Sequence, residues 1–224
     1  MKAEKHDITN TTKDRLIEAG IHLFARYGYN GTTTRMISDA VGINMNAIQF
    51  HFGGKEGLYK SVLAQVAQVC ETSYIDINKE IHAKKKEGRL DADEVRRLIA
   101  NLIDIQLSNA ISEESTDILA LMYWEQLEPH GGDYMPISRM MLEKSEETLA
   151  LLFCVVDPSI PPDAAAIISR FINGGIISFG EHAAFLDNIK SKSISNDYNE
   201  HIRKTLKPFI MNIIDCLLCG NTGA

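Results

Sequence analysis

Apolar residues recur at helical spacing along almost the whole chain, and no stretch carries the sustained alternation of a half-buried strand. This pattern restricts the fold to an all-α one, in which helices bury their apolar stripes on one another. With 224 residues, 45% of them apolar, the chain can fill a core in one or two domains. No run approaches the roughly 18 apolar residues of a membrane span. The polar start, MKAEKHDITNTTKDR, lacks the apolar block of a secretory signal. The four cysteines, Cys70, Cys154, Cys216 and Cys219, are irregularly spaced, which suits a reducing compartment better than a disulfide framework. The expectation is a cytoplasmic protein with no membrane partner.

Helix boundaries are marked by capping chemistry. Thr11 or Thr12 can cap a first helix with Asp14 in its first turn, and Leu16, Gly20, Leu23, Phe24 and Tyr27 then share a face up to Gly28. Thr32, Thr33 and Thr34 offer caps for a short second helix, with Met36, Ile37, Ala40 and Val41 inward. Gly42 supplies a turn, and Asn44 is the expected N-cap of a third helix ending near Phe50 or Phe52. A long fourth helix should run from Lys55 to about Ala83, followed by a polar boundary, HAKKKEGR. Beyond it, Asp91 should cap a helix with Val95, Leu98, Ile99, Leu102 and Ile103 inward, and further helices are expected at about 115–127, 138–155, 163–186 and 197–219. The chain thus divides into a three-helix head at 1–60, whose coupling helix continues to about 83, and a helical body at 61–224.

The stretch from Gly42 to Tyr59, GINMNAIQFHFGGKEGLY, carries the chemistry. A helix, a tight turn and a second short helix form the helix-turn-helix layout. Ile43, Ile48 and Phe52 suit an inward face. Asn44, Asn46 and Gln49 are neutral amides that both donate and accept, as base edges in a major groove require, and such amides suit adenine. Phe50 can lie against a thymine methyl or a sugar. His51 and Lys55 can meet phosphates, Lys55 at a helix N-terminus whose free N–H groups attract an anion.

From about Thr12 to Leu63 the sequence resembles the DNA-binding head of TetR/AcrR-type transcriptional regulators. The residues that carry the resemblance are Leu23-Phe24-Ala25, Gly28, Thr33-Thr34, Ile37, Ala40, Gly42-Ile43, Ile48, His51-Phe52 and Lys55-Glu56-Gly57-Leu58-Tyr59. The resemblance implies a homodimer that sets two heads on double-stranded DNA carrying a two-fold-symmetric operator. It assigns DNA contact to Thr34, Arg35, Asn44, Asn46, Gln49, Phe50, His51 and Lys55. Gln49 departs from the usual tyrosine of such heads, replacing a phenol by an amide that can read a base.

FGGKEGLY, the long body and a Trp-Glu-x-x-x-Pro stretch loosely resemble the CecR branch of these regulators. The resemblance implies a repressor released by a small-molecule effector, and dimerisation through the last two long helices, about 163–186 and 197–219. The first of these is rich in alanine and glycine, and the second carries more apolar face than one neighbour needs. For the effector, Met122, Trp124, Glu125, Met140, Phe179 and His182 are the candidate lining. Four of the eight methionines and the single tryptophan fall within 122–141. Methionine and aromatics make an adaptable wall, and a buried Glu125 can anchor a cation. The competing reading of each such residue is ordinary core.

Net charge is −7, but residues 1–60 hold eight Lys/Arg against six Asp/Glu, a mildly basic head on an acidic body. Cys216-x-x-Cys219 leaves open a thiol- or metal-responsive regulator, although two cysteines fall short of the four ligands of structural zinc. No nucleophile elbow, phosphate-binding loop, HExxH helix or dinucleotide glycine run is present, so no enzyme activity, cofactor or metal is expected.

Overall fold

The computed structural model describes residues 11–111, 115–128, 134–181 and 198–219, and all of its regular structure there is helical. Helix α1 spans Thr12–Gly31, α2 Thr34–Val41, α3 Asn46–Phe52 and α4 Lys55–Lys86. Helix α5 spans Ala92–Ala110 and α6 Ser115–Leu127. The next, α7, joins Pro136–Ser138, a π-helical stretch Arg139–Lys144 and Ser145–Val156. Helix α8 is Pro162–Glu181 and α9 is Tyr198–Cys219.

The caps follow the side chains. Thr11 accepts from the Asp14 N–H while Asp14 accepts from the Thr11 N–H, a reciprocal capping box. Thr33 caps α2 by accepting from Met36 N–H, and Asp91 caps α5 by accepting from Glu94 N–H. Helix α4 runs on to Lys86, into the expected polar boundary, and two boundaries in the head also differ from expectation. Helix α1 does not stop at Gly28. It turns there through a left-handed residue (φ 67°) and continues to Gly31, with buried Thr32 donating to the Gly28 carbonyl at 2.8 Å. Asn44 is not the N-cap of the third helix but stands one residue before Met45, which is the cap, and its side-chain oxygen accepts from Asn46 N–H at 2.9 Å.

Two apolar clusters make the core. The first joins Leu16, Phe24, Ile37 and Ile48 of α1–α3 to Leu58, Tyr59, Val62 and Val66 of α4. It does not end with the head, because Leu119, Leu121 and Met122 of α6, Ile137 and Met141 of α7, and Ile177 of α8 belong to it. The second gathers Tyr74, Ile77 and Ile81 of α4 with the inner faces of α5, α7, α8 and α9. Val95, Leu98, Ile99, Leu102 and Ile103, expected inward from their spacing, are all fully buried. Helix α4 therefore runs through both clusters, and its 32 residues span about 48 Å. Polar links fix α9 on α5: Arg96 holds Asp215 with two bonds of 2.6 and 2.7 Å, Lys207 pairs with Asp104, and Arg203 donates to the Ile111 carbonyl.

Candidate nucleic-acid interface and body clefts

Helix α3 has one anchored and one open face. Ile48 is buried in the head cluster, with Ile43, Ala47 and Phe52 half-buried beside it. Asn44, Met45, Asn46, Gln49, Phe50 and His51 are exposed, Phe50 to 84%. Positions 46, 49 and 50 share a face because helical neighbours lie three and four residues apart. Gly42, left-handed at φ 66°, makes the turn between α2 and α3, and Arg15 clamps it by donating to the Val41 carbonyl at 2.6 Å. Gly53 and Gly54, both at positive φ, make the turn from α3 into α4. A side chain on Gly57 would meet the Phe52 carbonyl at 1.9 Å, so glycine permits the close approach of α3 to α4.

Two cations stand near this face. The Lys55 ammonium lies 4.2 Å from the centre of the Tyr29 ring, and partial burial pulls its pKa below the usual lysine value. Arg35, at the start of α2, is 81% exposed and stands 3.6 Å from Asp39. Thr34 is half-buried at the same helix start. All eight residues expected to face DNA thus lie on α2, on α3 and its preceding turn, or at the start of α4.

The six residues expected around an effector are dispersed. Met122 is buried in the first cluster. Trp124 reaches across to α1, where its indole N–H donates to the Ala25 carbonyl at 3.0 Å and its ring closes on Gly28. Glu125 is buried, but its carboxylate caps the start of α7, accepting from Ile137 N–H (3.0 Å), Ser138 N–H (2.9 Å) and the Ser138 hydroxyl (2.8 Å). Burial raises its pKa, against the pull of those three bonds. Phe179 is half-buried against the second cluster, and His182 lies outside the described residues. Met140 lines a cleft of about 450 Å³ between α4 and α7, together with Tyr74, Asn78, His82 and Lys144.

Behind that cleft is a polar group that the sequence reading missed. Gln106 of α5 is 3% exposed and donates to Ser145 of α7 at 3.1 Å, while its oxygen makes no hydrogen bond. Asn109 and Ser145 both bond Tyr74, whose phenol burial pushes up to about 12, and the Asn109 amide nitrogen is likewise unmatched. Unmatched buried polar atoms are costly, and a π-helical turn such as that at Arg139–Lys144 often accompanies a functional site. The one available signal was Gln106 itself, a polar residue on the otherwise apolar inner face of α5.

A cleft of about 490 Å³ lies at the junction of α1, α4 and α6, where His22 pairs with Asp117. Cys216 is exposed, and the side chain of Cys219 lies outside the described residues. Among the described residues, no group of three or more His, Cys, Asp or Glu could hold a metal ion, and no helix is long and apolar enough to cross a membrane.

Residues 16–62 match the family described as bacterial regulatory proteins, tetR family. The probable HTH-type transcriptional regulator YttP of Bacillus subtilis is 34% identical over 55 residues, 25% of this chain and 27% of that protein. The HTH-type transcriptional dual regulator CecR of Shigella flexneri is 27% identical over 123 residues, 55% of each chain. The chain thus spans little more than half of these relatives at most. Likeness of fold extends further. The regulator SCO4942 of Streptomyces coelicolor superposes with a TM-score of 0.60 at 16% identity, covering 91% of this chain and 98% of that one. A TetR/AcrR-type regulator of Aquifex aeolicus gives 0.58 at 15% identity, covering 91% and 99%. Residues 16–62 thus match the tetR family, and the chain as a whole has the fold of solved TetR/AcrR-type regulators.

Proposed function

We propose that the chain is a homodimeric, sequence-specific DNA-binding repressor released by a small-molecule effector. The observation that carries the reading is the two-sided α3. Ile48 is buried, while Asn46, Gln49 and Phe50 stand open on a neutral face shaped for a major groove. In this reading Asn44, Thr34, Arg35, His51 and Lys55 meet the sugar-phosphate backbone and fix the register, with residues 1–60 as the DNA-binding unit and 61–224 as the effector and dimer unit.

Dimerisation through α8 and α9 is supported by apolar side chains left open on both helices. Ile167 is 69% exposed, Phe171 73% and Phe209 61%, and the space beside Gly174 and Gly175 is open. The 163–186 and 197–219 segments form this face as far as they are described. For the effector, the α4/α7 cleft at Met140 is favoured, because Tyr74 in its wall bonds Asn109 and Ser145, and behind it Gln106 and Asn109 each keep an unmatched polar atom. A ligand there would push on α4, which also carries Leu58, Tyr59 and Val62 of the head cluster, so its binding would change how the two heads are spaced. The thiol- or metal-responsive alternative through Cys216 and Cys219 has no support.

The test is selection of bound fragments from genomic DNA by the purified protein, at near-physiological salt. Enrichment of a two-fold-symmetric site is expected. Weak, salt-sensitive binding without enrichment would remove the reading.

A further inference from the structure

We propose that the base pairs under α3 in each half-site are A·T pairs, read through the amides of Asn46 and Gln49 and a thymine methyl against Phe50, with no guanine read from this helix. The inference rests on the DNA-binding reading and goes beyond it by naming the bases. Guanine offers two acceptors in the major groove, and the side chains that match it carry two donors on a cationic group. Helix α3, NAIQFHF, contains no lysine or arginine.

The cations that flank α3 among the described residues stand outside its open face. Arg15 donates to the Val41 carbonyl at 2.6 Å, Lys55 lies over the Tyr29 ring, and Lys13 lies 5.9 Å from the Phe52 ring centre. Arg35 is open but stands on α2, near Asp39. His51 is placed on the sugar-phosphate backbone, and the remaining exposed side chains of α3, Asn46, Gln49 and Phe50, present groups that suit A·T. An amide donates to adenine N7 and accepts from its N6 amino group, and a phenyl packs on the methyl that only thymine carries. Asn44 is less free to read a base, because its oxygen already accepts from the Asn46 N–H.

The experiment uses the full-length protein on its selected site, with single-atom base analogues placed under α3. Replacing adenine by 7-deazaadenine at the positions facing Asn46 and Gln49 is expected to weaken binding about tenfold. Replacing thymine by deoxyuridine should weaken wild type about fourfold, the worth of one buried methyl, and leave the Phe50→Ala variant unaffected. A symmetric site with G·C pairs under α3 would overturn the proposal while DNA binding stands. So would an A·T site that tolerates every analogue, since the preference would then come from duplex shape. If no site is enriched at all, the DNA-binding reading fails and takes this inference with it. The analogue arms need no protein variant, so they decide the matter even if Phe50→Ala fails to fold.

Discussion

Trp124 of α6 closes on Gly28 of α1: a side chain at Gly28 would come within 3.0 Å of the indole. The same indole donates to the Ala25 carbonyl at 3.0 Å, so a body helix grips the head at its kink. Gly28→Ala meets two penalties, a left-handed φ of 67° and that contact. A loss of about 1–3 kcal/mol is expected, read as a lower urea midpoint at unchanged slope. Trp124→Phe keeps most of the ring and removes the bond, for a loss of about 1 kcal/mol. A Gly28→Ala midpoint equal to wild type would show that the grip does not exist.

Gly57 is a stricter case. Its missing side chain would sit 1.9 Å from the Phe52 carbonyl, a backbone atom that cannot swing away. Gly57→Ala must therefore shift α3 away from α4. We expect a destabilisation of about 2 kcal/mol and a loss of operator affinity larger than that of any single base-reading variant. Gly53→Ala, where nothing lies within 4 Å, should cost only its backbone strain. Equal effects of the two substitutions on affinity would contradict the close approach.

The head was largely legible in the sequence because its signals are local. Thr11, Thr33 and Gly42 fix ends through side chains or conformations of their own, and the buried row of α5 follows from its spacing alone. The outward face of α3 follows from the same logic. The polar cluster behind the α4/α7 cleft was not legible, for a physical reason. Trp124 and Glu125 have the composition of a pocket wall, but tertiary packing assigns one to the Gly28 kink and the other to the α7 cap. Gln106, Tyr74 and Ser145 come from three helices, so no local pattern unites them. The π-helical stretch at Arg139–Lys144 likewise has no sequence signal in a segment that reads as plain α-helix.

Glu125 gives a pH dependence whose sign is fixed. Its carboxyl is held above the usual range by burial, so the folded state binds that proton more tightly than the unfolded chain. Its contribution is greatest below the ordinary carboxyl pKa and is lost as pH rises through the folded value. Glu125→Gln removes this dependence and also sets an amide N–H₂ against the Ile137 or Ser138 N–H, a cost of about 1–3 kcal/mol. The stability advantage of wild type over the variant should therefore be larger at pH 4 than at pH 7 in urea titrations. An advantage that grows with pH would reverse the assignment.

Lys55 and Gln49 should separate in their effect on DNA. Lys55 offers a charge at the start of α4, and Gln49 offers an amide on the open face of α3. Lys55→Ala is expected to weaken all sequences alike and to lower the slope of log affinity against log salt by about 1 for each lysine that meets a phosphate. Gln49→Ala should leave that slope unchanged and relax preference at one base pair per half-site. Fluorescence anisotropy on the selected site and its single-pair variants, over a salt series, reads both. A base preference altered by Lys55→Ala would move that residue from the backbone to the groove.

The apolar face of α8 and α9 yields the last prediction. Phe171 is 73% exposed and Phe209 61%, on helices whose other faces fill the second cluster. A stable dimer buries about 1,200–2,000 Å² with an apolar centre, and two copies meeting about a two-fold axis would bring these rings into one four-helix contact. Phe171→Glu places a charge in that contact and disturbs no core, so the subunit should keep its helical content and thermal unfolding midpoint at low concentration. Sedimentation should show a monomer where wild type is a dimer. Operator affinity should fall by far more than one residue can account for, because the second head no longer binds as a tethered partner. A Phe171→Glu protein that stays dimeric would place the contact elsewhere on the body.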